Sequence, residues 1–88
     1  MTVEDVALAV GMWLETAVYD LAEGDEIEAD NLYNDADTLE DLVGDRVHDL
    51  VGGDKTLFIE TIKLLRDESR YMKHSAMQEA CSSLLRGD

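Results

Sequence analysis

The sequence predicts an all-α protein, a small bundle of three to four helices that forms one acidic domain over residues 1–88. Apolar residues make up 45% of the chain and recur at helical spacing. No proline interrupts these patterns, and glycines at Gly24, Gly52-Gly53 and Gly87 separate the helical stretches.

The first predicted helix runs from about Val3 to Glu23, with Thr2 as N-cap and Gly24 as the C′ residue. Its main apolar stripe consists of Val3, Ala7, Val10, Leu14, Ala17, Val18 and Leu21. A second apolar face carries Leu8, Met12 and Tyr19. A helix that is apolar on most sides is buried on most sides, so we expect it to be the central helix. The alternative is that its second face forms a homodimer or partner contact.

Two further helices are predicted before the paired glycines. A short one covers about Glu26 to Tyr33, and Asn34-Asp35 forms a turn or N-cap. The next runs from about Ala36 to Val51. Its apolar face consists of Leu39, Leu42, Val43, Val47, Leu50 and Val51.

The last helical stretch begins after Asp54 and reaches about Arg86. Its main apolar stripe consists of Phe58, Ile62, Leu65, Met72, Ala76 and Ala80. One continuous helix would be about 45 Å long and would overhang its partners. A break near residues 68–70 is therefore favoured over a single helix.

Negative charge is concentrated in the first part of the chain. Residues 1–54 contain 16 acids and one base, Arg46, whereas residues 55–88 contain five acids and six bases. The overall net charge is −14. This balance argues against direct nucleic-acid binding, which needs lysine and arginine to neutralise phosphate. It permits a basic partner or a highly saline cytoplasm.

An acidic row is predicted along the Ala36–Val51 helix. Asp37, Asp41, Asp45 and Asp49 recur every four residues, opposite the apolar face. We call these four residues the aspartate ladder. Like charges at this spacing cost about 0.2–0.5 kcal/mol per pair, and nothing within the helix offsets that cost. The candidate partner-binding residues are the ladder and its acidic neighbours: Asp25, Glu26, Glu28, Asp30, Asp35, Asp37, Glu40, Asp41, Asp45 and Asp49.

The ladder has two interpretations. It could imitate a nucleic-acid backbone and occupy the basic groove of a nucleic-acid-binding protein or complex. It could equally be a solvated helix face in a salt-adapted or viral proteome, where the protein would serve as a homo-oligomeric or antitoxin-like helical interaction module. Salt adaptation should spread acid over the whole surface, and the uneven charge counts against it.

In size and charge, the first 54 residues or so resemble the small acidic proteins with which phages and mobile elements block host nucleic-acid-binding enzymes. Anti-CRISPR and anti-restriction proteins are examples. The resemblance is one of functional class and carries no residue correspondences. It implies a stoichiometric inhibitor in the cytoplasm, that of the host cell if the protein is phage-encoded.

Other functions find little support in the sequence. There is no phosphate-binding loop, nucleophile elbow or HExxH motif, so we expect no enzyme and no cofactor. The acidic segments lack calcium-loop spacing, and one cysteine with two histidines predicts no zinc site. No apolar run is long enough to span a membrane. A basic row on the last stretch is expected to form salt bridges, and it consists of Lys55, Lys63, Arg66, Arg70 and Lys73. The predicted i,i+3 pairs are Glu60 with Lys63 and Asp67 with Arg70.

Overall fold

The computed structural model describes residues 2–87, and all of its regular structure in that range is helical. The class is therefore all-α, but the helices number five and not three or four. They are α1 (Val3–Leu21), α2 (Glu26–Tyr33), α3 (Ala36–Val51), α4 (Lys55–Tyr71) and α5 (Ser75–Arg86).

Four helices begin at a side chain that accepts a hydrogen bond from the first turn. Thr2 and Asp5 form a capping box at α1. Asp25, Asp35 and Asp54 cap α2, α3 and α4 in the same way, and all three carboxylates lie at the positive end of a helix dipole. Part of the acidity of the chain therefore stabilises helix starts.

Two helices end where a non-glycine residue adopts left-handed backbone geometry. Glu23 has φ 54° and Lys73 has φ 59°. After Lys73, the amide of His74 donates to the carbonyl of Ser69 at 2.8 Å, which closes the last turn of α4. The predicted break in the last stretch is confirmed, but it falls at residues 72–74 and not at 68–70. Similarly, α1 ends at Leu21, two residues before the predicted end, because Glu23 and not Gly24 occupies the C′ position.

The central helix is α3 and not α1, because α3 packs against all four other helices. Helix α1 packs against α2, α3 and α4 on one side only. The core combines one face each of α1, α3, α4 and α5: Val6, Ala7, Val10, Leu14, Val18, Leu39, Val43, Val47, Ile62, Leu65, Met77, Ala80 and Cys81.

Two residues of the predicted apolar stripes are exposed. Leu21 lies in the last turn of α1, where the helix has passed the core. Met72 is the C-cap of α4 and is 76% exposed, although its amide still donates to the carbonyl of Glu68 at 3.0 Å.

Candidate functional site

The aspartate ladder lies along the solvent face of α3. Asp37, Asp41, Asp45 and Asp49 are all exposed, and Glu40 beside them is partly buried. Leu39, Val43 and Val47 on the opposite face are completely buried. Within residues 2–87, no side chain of the ladder takes part in an ion pair or a hydrogen bond.

The bases of the protein do not neutralise the ladder. Within residues 2–87 the ion pairs are Lys63–Glu60, at 3.8 Å, and Arg66–Asp67, at 3.4 Å, both inside α4. The Lys63–Glu60 ion pair is one of the predicted i,i+3 pairs. Asp67 contacts its neighbour Arg66 in place of the predicted Arg70. Lys73 does not lie in the basic row, because it follows the end of α4.

Arg46 is the one base among the first 54 residues, and it contacts an aromatic ring. Its guanidinium lies over Trp13 of α1, 5.3 Å from the ring centroid. Its Nε is buried and has no hydrogen-bond partner in the part of the chain that the structure describes. The charge of Arg46 is thus directed into the seam between α1 and α3 and away from the ladder.

The acids that precede α3 divide into two groups. Asp25 and Asp35 use their carboxylates as helix caps, and Asp35 also accepts the hydroxyl of Thr38 at 2.9 Å. Glu26, Glu28 and Asp30 are exposed on α2. Capping already accounts for Asp25 and Asp35, so the ladder and the α2 acids are the stronger candidates for contact with a partner.

Two adjoining depressions flank the ladder where α3 meets α4 and α5. The first has a volume of about 420 Å³ and is lined by His48, Val51, Gly53, Asp54, Lys55, Phe58 and Ile59. The second has a volume of about 460 Å³ and is lined by Glu40, Asp41, Gly44, Asp45, His48, Phe58 and Leu84. Because His48 and Phe58 line both, we call the pair the Phe58 groove.

Sequence reasoning did not identify the Phe58 groove. Phe58 was assigned to the core stripe of the last helical stretch, and Ile59 was not assigned at all. An isoleucine outside the apolar stripe, directly after a phenylalanine of that stripe, is the one local signal that could have indicated this surface.

The second apolar face of α1 is exposed, as expected for a partner contact. Leu8, Met12 and Tyr19 are 64%, 70% and 44% exposed. They point away from the core on the same side of the helix. No helix within residues 2–87 covers these three side chains.

Neither histidine is placed to activate the cysteine. The ring of His74 stacks on Tyr33, with centroids 4.5 Å apart, and its Nε2 lies 3.1 Å from the Tyr33 carbonyl. His48 is exposed beside the ladder. Cys81 is completely buried. Burial raises the pKa of the Cys81 thiol to about 12, against the opposing influence of Arg66.

The buried thiol predicts a specific alkaline sensitivity. A thiol with a pKa of about 12 in the fold and 9.0 as its ordinary value binds its proton more tightly when folded. Its contribution to stability is therefore complete below about pH 9 and is lost as the pH rises towards 12. We expect the free energy of unfolding to fall more steeply with pH above about pH 9 in the native protein than in Cys81→Ala.

Urea unfolding at each pH measures this effect, and the variant is the control for other titrating groups, including Tyr33. Burial, followed by the charge of Glu15, also raises the pKa of Tyr33, but that contribution is present in both proteins. Parallel pH profiles for the two proteins would contradict the assignment.

Metal and membrane sites receive no support from the described residues. Among residues 2–87, no group of three or more histidine, cysteine, aspartate or glutamate side chains is arranged to hold a metal ion. No helix in the same range has the length and apolar character needed to cross a bilayer.

The fold and the surface together define a small all-α protein with an unneutralised acidic helix face. No protein-family model matches the chain, and no significant similarity to a curated protein or to a solved structure was found.

Proposed function

We propose that this protein is a stoichiometric inhibitor that mimics nucleic acid and blocks the basic groove of a nucleic-acid-binding protein or complex. It would belong to the functional class of phage and mobile-element proteins that counter host defence, such as anti-CRISPR or anti-restriction proteins. The protein would act in the cytoplasm of the cell that contains its partner.

One observation carries this proposal: all four aspartates of the ladder are exposed, and none is neutralised within residues 2–87. The aspartates of the ladder repel one another, and no ion pair within residues 2–87 offsets that repulsion. A surface that costs stability and makes no internal contact is explained by a contact with another molecule.

The spacing of the ladder is compatible with such mimicry. Successive aspartates are separated by four residues, or about 6 Å along the helix axis. The phosphates of one DNA strand rise about 3.4 Å per nucleotide, so each carboxylate corresponds to roughly every second phosphate. Lysine and arginine side chains are long enough to absorb the remaining mismatch.

The proposal is tested by capture and competition. Tagged protein is incubated with a lysate of the cells in which it acts, at about 0.1 M and about 1 M salt, where the Debye length falls from about 10 Å to about 3 Å. The captured protein is purified and bound to a labelled oligonucleotide. We expect capture at low salt only, and release of the oligonucleotide at about one equivalent of the acidic protein.

The matched variants keep the net charge equal. Asp41→Lys with Asp45→Lys reverses the centre of the ladder, whereas Asp67→Lys with Glu79→Lys makes the same change of net charge on α4 and α5. We expect the ladder variant to lose at least about 100-fold in affinity, since several desolvated charge pairs are removed together. The proposal fails if both variants compete equally well, or if the captured partner binds no nucleic acid.

The second candidate function is a helical assembly module, and the exposed face of α1 favours it. Contiguous exposed apolar side chains such as Leu8 and Met12 often mark a contact with another chain. If this face forms the assembly, Leu8→Asp with Tyr19→Asp should reduce the mass measured by light scattering to that of one chain, without loss of helicity. A native mass of one chain before mutation removes this candidate.

A further inference from the structure

The Phe58 groove is more apolar than charge mimicry alone requires. Its first depression is walled by Val51, Phe58 and Ile59, and Ile59 is 43% exposed. The exposed part of the Ile59 side chain is apolar surface in water, and a bound side chain would remove that solvation cost. The volume of about 420 Å³ is sufficient for one large side chain.

The groove and the ladder form one continuous surface. Asp41 and Asp45 belong to the ladder and also line the second depression, together with His48 and Phe58. A group seated at Phe58 is therefore flanked by ladder carboxylates. The occupant best matched to this arrangement carries an apolar or aromatic side chain between positive charges.

We propose that the Phe58 groove receives an aromatic side chain from the basic groove of a protein that binds single-stranded nucleic acid. This inference rests on the proposed function. Such proteins combine lysine and arginine along the backbone path with exposed aromatic side chains on which bases stack. The ladder takes the place of the phosphates, and the rings of Phe58 and His48 with the side chain of Ile59 take the place of a base.

The acidic residues at the rim of the groove are consistent with a basic partner. Asp54 is occupied, because its carboxylate accepts the amide of Leu57 at 3.0 Å as the α4 cap. Asp41 and Asp45 make no such contact and remain available to the bases of the partner. Lys55 is the one lysine or arginine that lines either depression, and it lines only the first, whereas Asp41 and Asp45 line the second.

Three synthetic peptides test this inference. Each is a fluorescently labelled peptide of about 12 residues rich in lysine and arginine, with a single central tryptophan, leucine or serine. Affinities are measured by anisotropy at about 0.1 M salt. We expect the tryptophan peptide to bind about tenfold more tightly than the serine peptide, with leucine between them, as partial burial of an apolar side chain allows.

Ile59→Gln removes one apolar wall without changing charge. We expect it to reduce the advantage of the tryptophan peptide to less than about threefold while leaving the serine peptide unaffected. Ile27→Gln is the matched control, because Ile27 is an exposed isoleucine on α2 that lines neither depression. Amide and ring chemical shifts of His48 and Phe58 should move with the tryptophan peptide more than with the serine peptide.

The outcomes separate this inference from the proposed function. Equal, salt-dependent binding of all three peptides overturns the aromatic contact and leaves charge mimicry standing. Equal effects of Ile59→Gln and Ile27→Gln on binding of the tryptophan peptide would also overturn the aromatic contact and leave charge mimicry standing. If Asp41→Lys with Asp45→Lys leaves the serine peptide bound as before, charge mimicry itself is overturned. Absence of binding by every peptide overturns both.

Discussion

Replacement of Thr61 by valine is expected to stabilise the protein by about 1–3 kcal/mol. Thr61 lies on the core face of α4 and is completely buried, yet its hydroxyl has no hydrogen-bond partner among residues 2–87. Burial of an unsatisfied hydroxyl costs about that amount, and valine has nearly the same shape and helix propensity. The exchange therefore removes the cost without opening a cavity or overpacking the core.

Ser69→Ala is the control for this prediction. Ser69 is also buried on α4, but its hydroxyl donates to the carbonyl of Arg66 at 2.7 Å. Its removal should be neutral or should destabilise by up to about 1 kcal/mol. Urea unfolding of both variants measures the difference. A Thr61→Val protein no more stable than the native one would show that the hydroxyl is satisfied in solution.

Reversal of the charge at Asp45 is expected to stabilise the protein by about 1 kcal/mol at low salt. Asp45 is the third residue of the ladder, with Asp41 and Asp49 each one step away. Lysine at this position converts two repulsive pairs into two attractive ones, and each conversion contributes about 0.4–1 kcal/mol. The pair with Asp41 should contribute more, because an acid N-terminal to a lysine is the better orientation.

Thermal unfolding of Asp45→Lys at about 0.05 M and 1 M salt measures this effect. A gain of about 1 kcal/mol corresponds to a rise in Tm of about 4–8 °C in a domain of this size, and salt should largely remove it. Glu79→Lys makes the same change of net charge on α5, where residues 75, 76, 82 and 83 are all uncharged. An equal gain from Glu79→Lys would assign the effect to net charge and not to the ladder.

The two measurements on Asp45 should move in opposite directions. The same substitution that raises Tm should weaken the binding of a basic partner, since it removes a carboxylate from the centre of the ladder. A surface that destabilises the fold and strengthens a complex is typical of residues retained for binding. A solvated face with no partner would show only the stability change.

The helix bounds predicted from the sequence are correct where capping residues next to the helix encode them. Asp25, Asp35 and Asp54 cap the helices that follow them, and Gly52 ends α3, so the bounds of α2 and α3 agree with expectation. The ends of α1 and α4 were missed because Glu23 and Lys73 adopt a backbone conformation that usually indicates glycine. No local pattern distinguishes such residues from ordinary helical ones.

The sequence by itself determined the helical class, the uneven charge and the outward direction of the ladder. Each of these depends only on composition or on the periodicity of one helix. Tertiary structure alone decided that Arg46 stacks on Trp13, that the Thr61 hydroxyl has no partner and that α3 is central. It also created the Phe58 groove, because a groove between three helices depends on how their faces pack, and periodicity along one helix does not specify its neighbours.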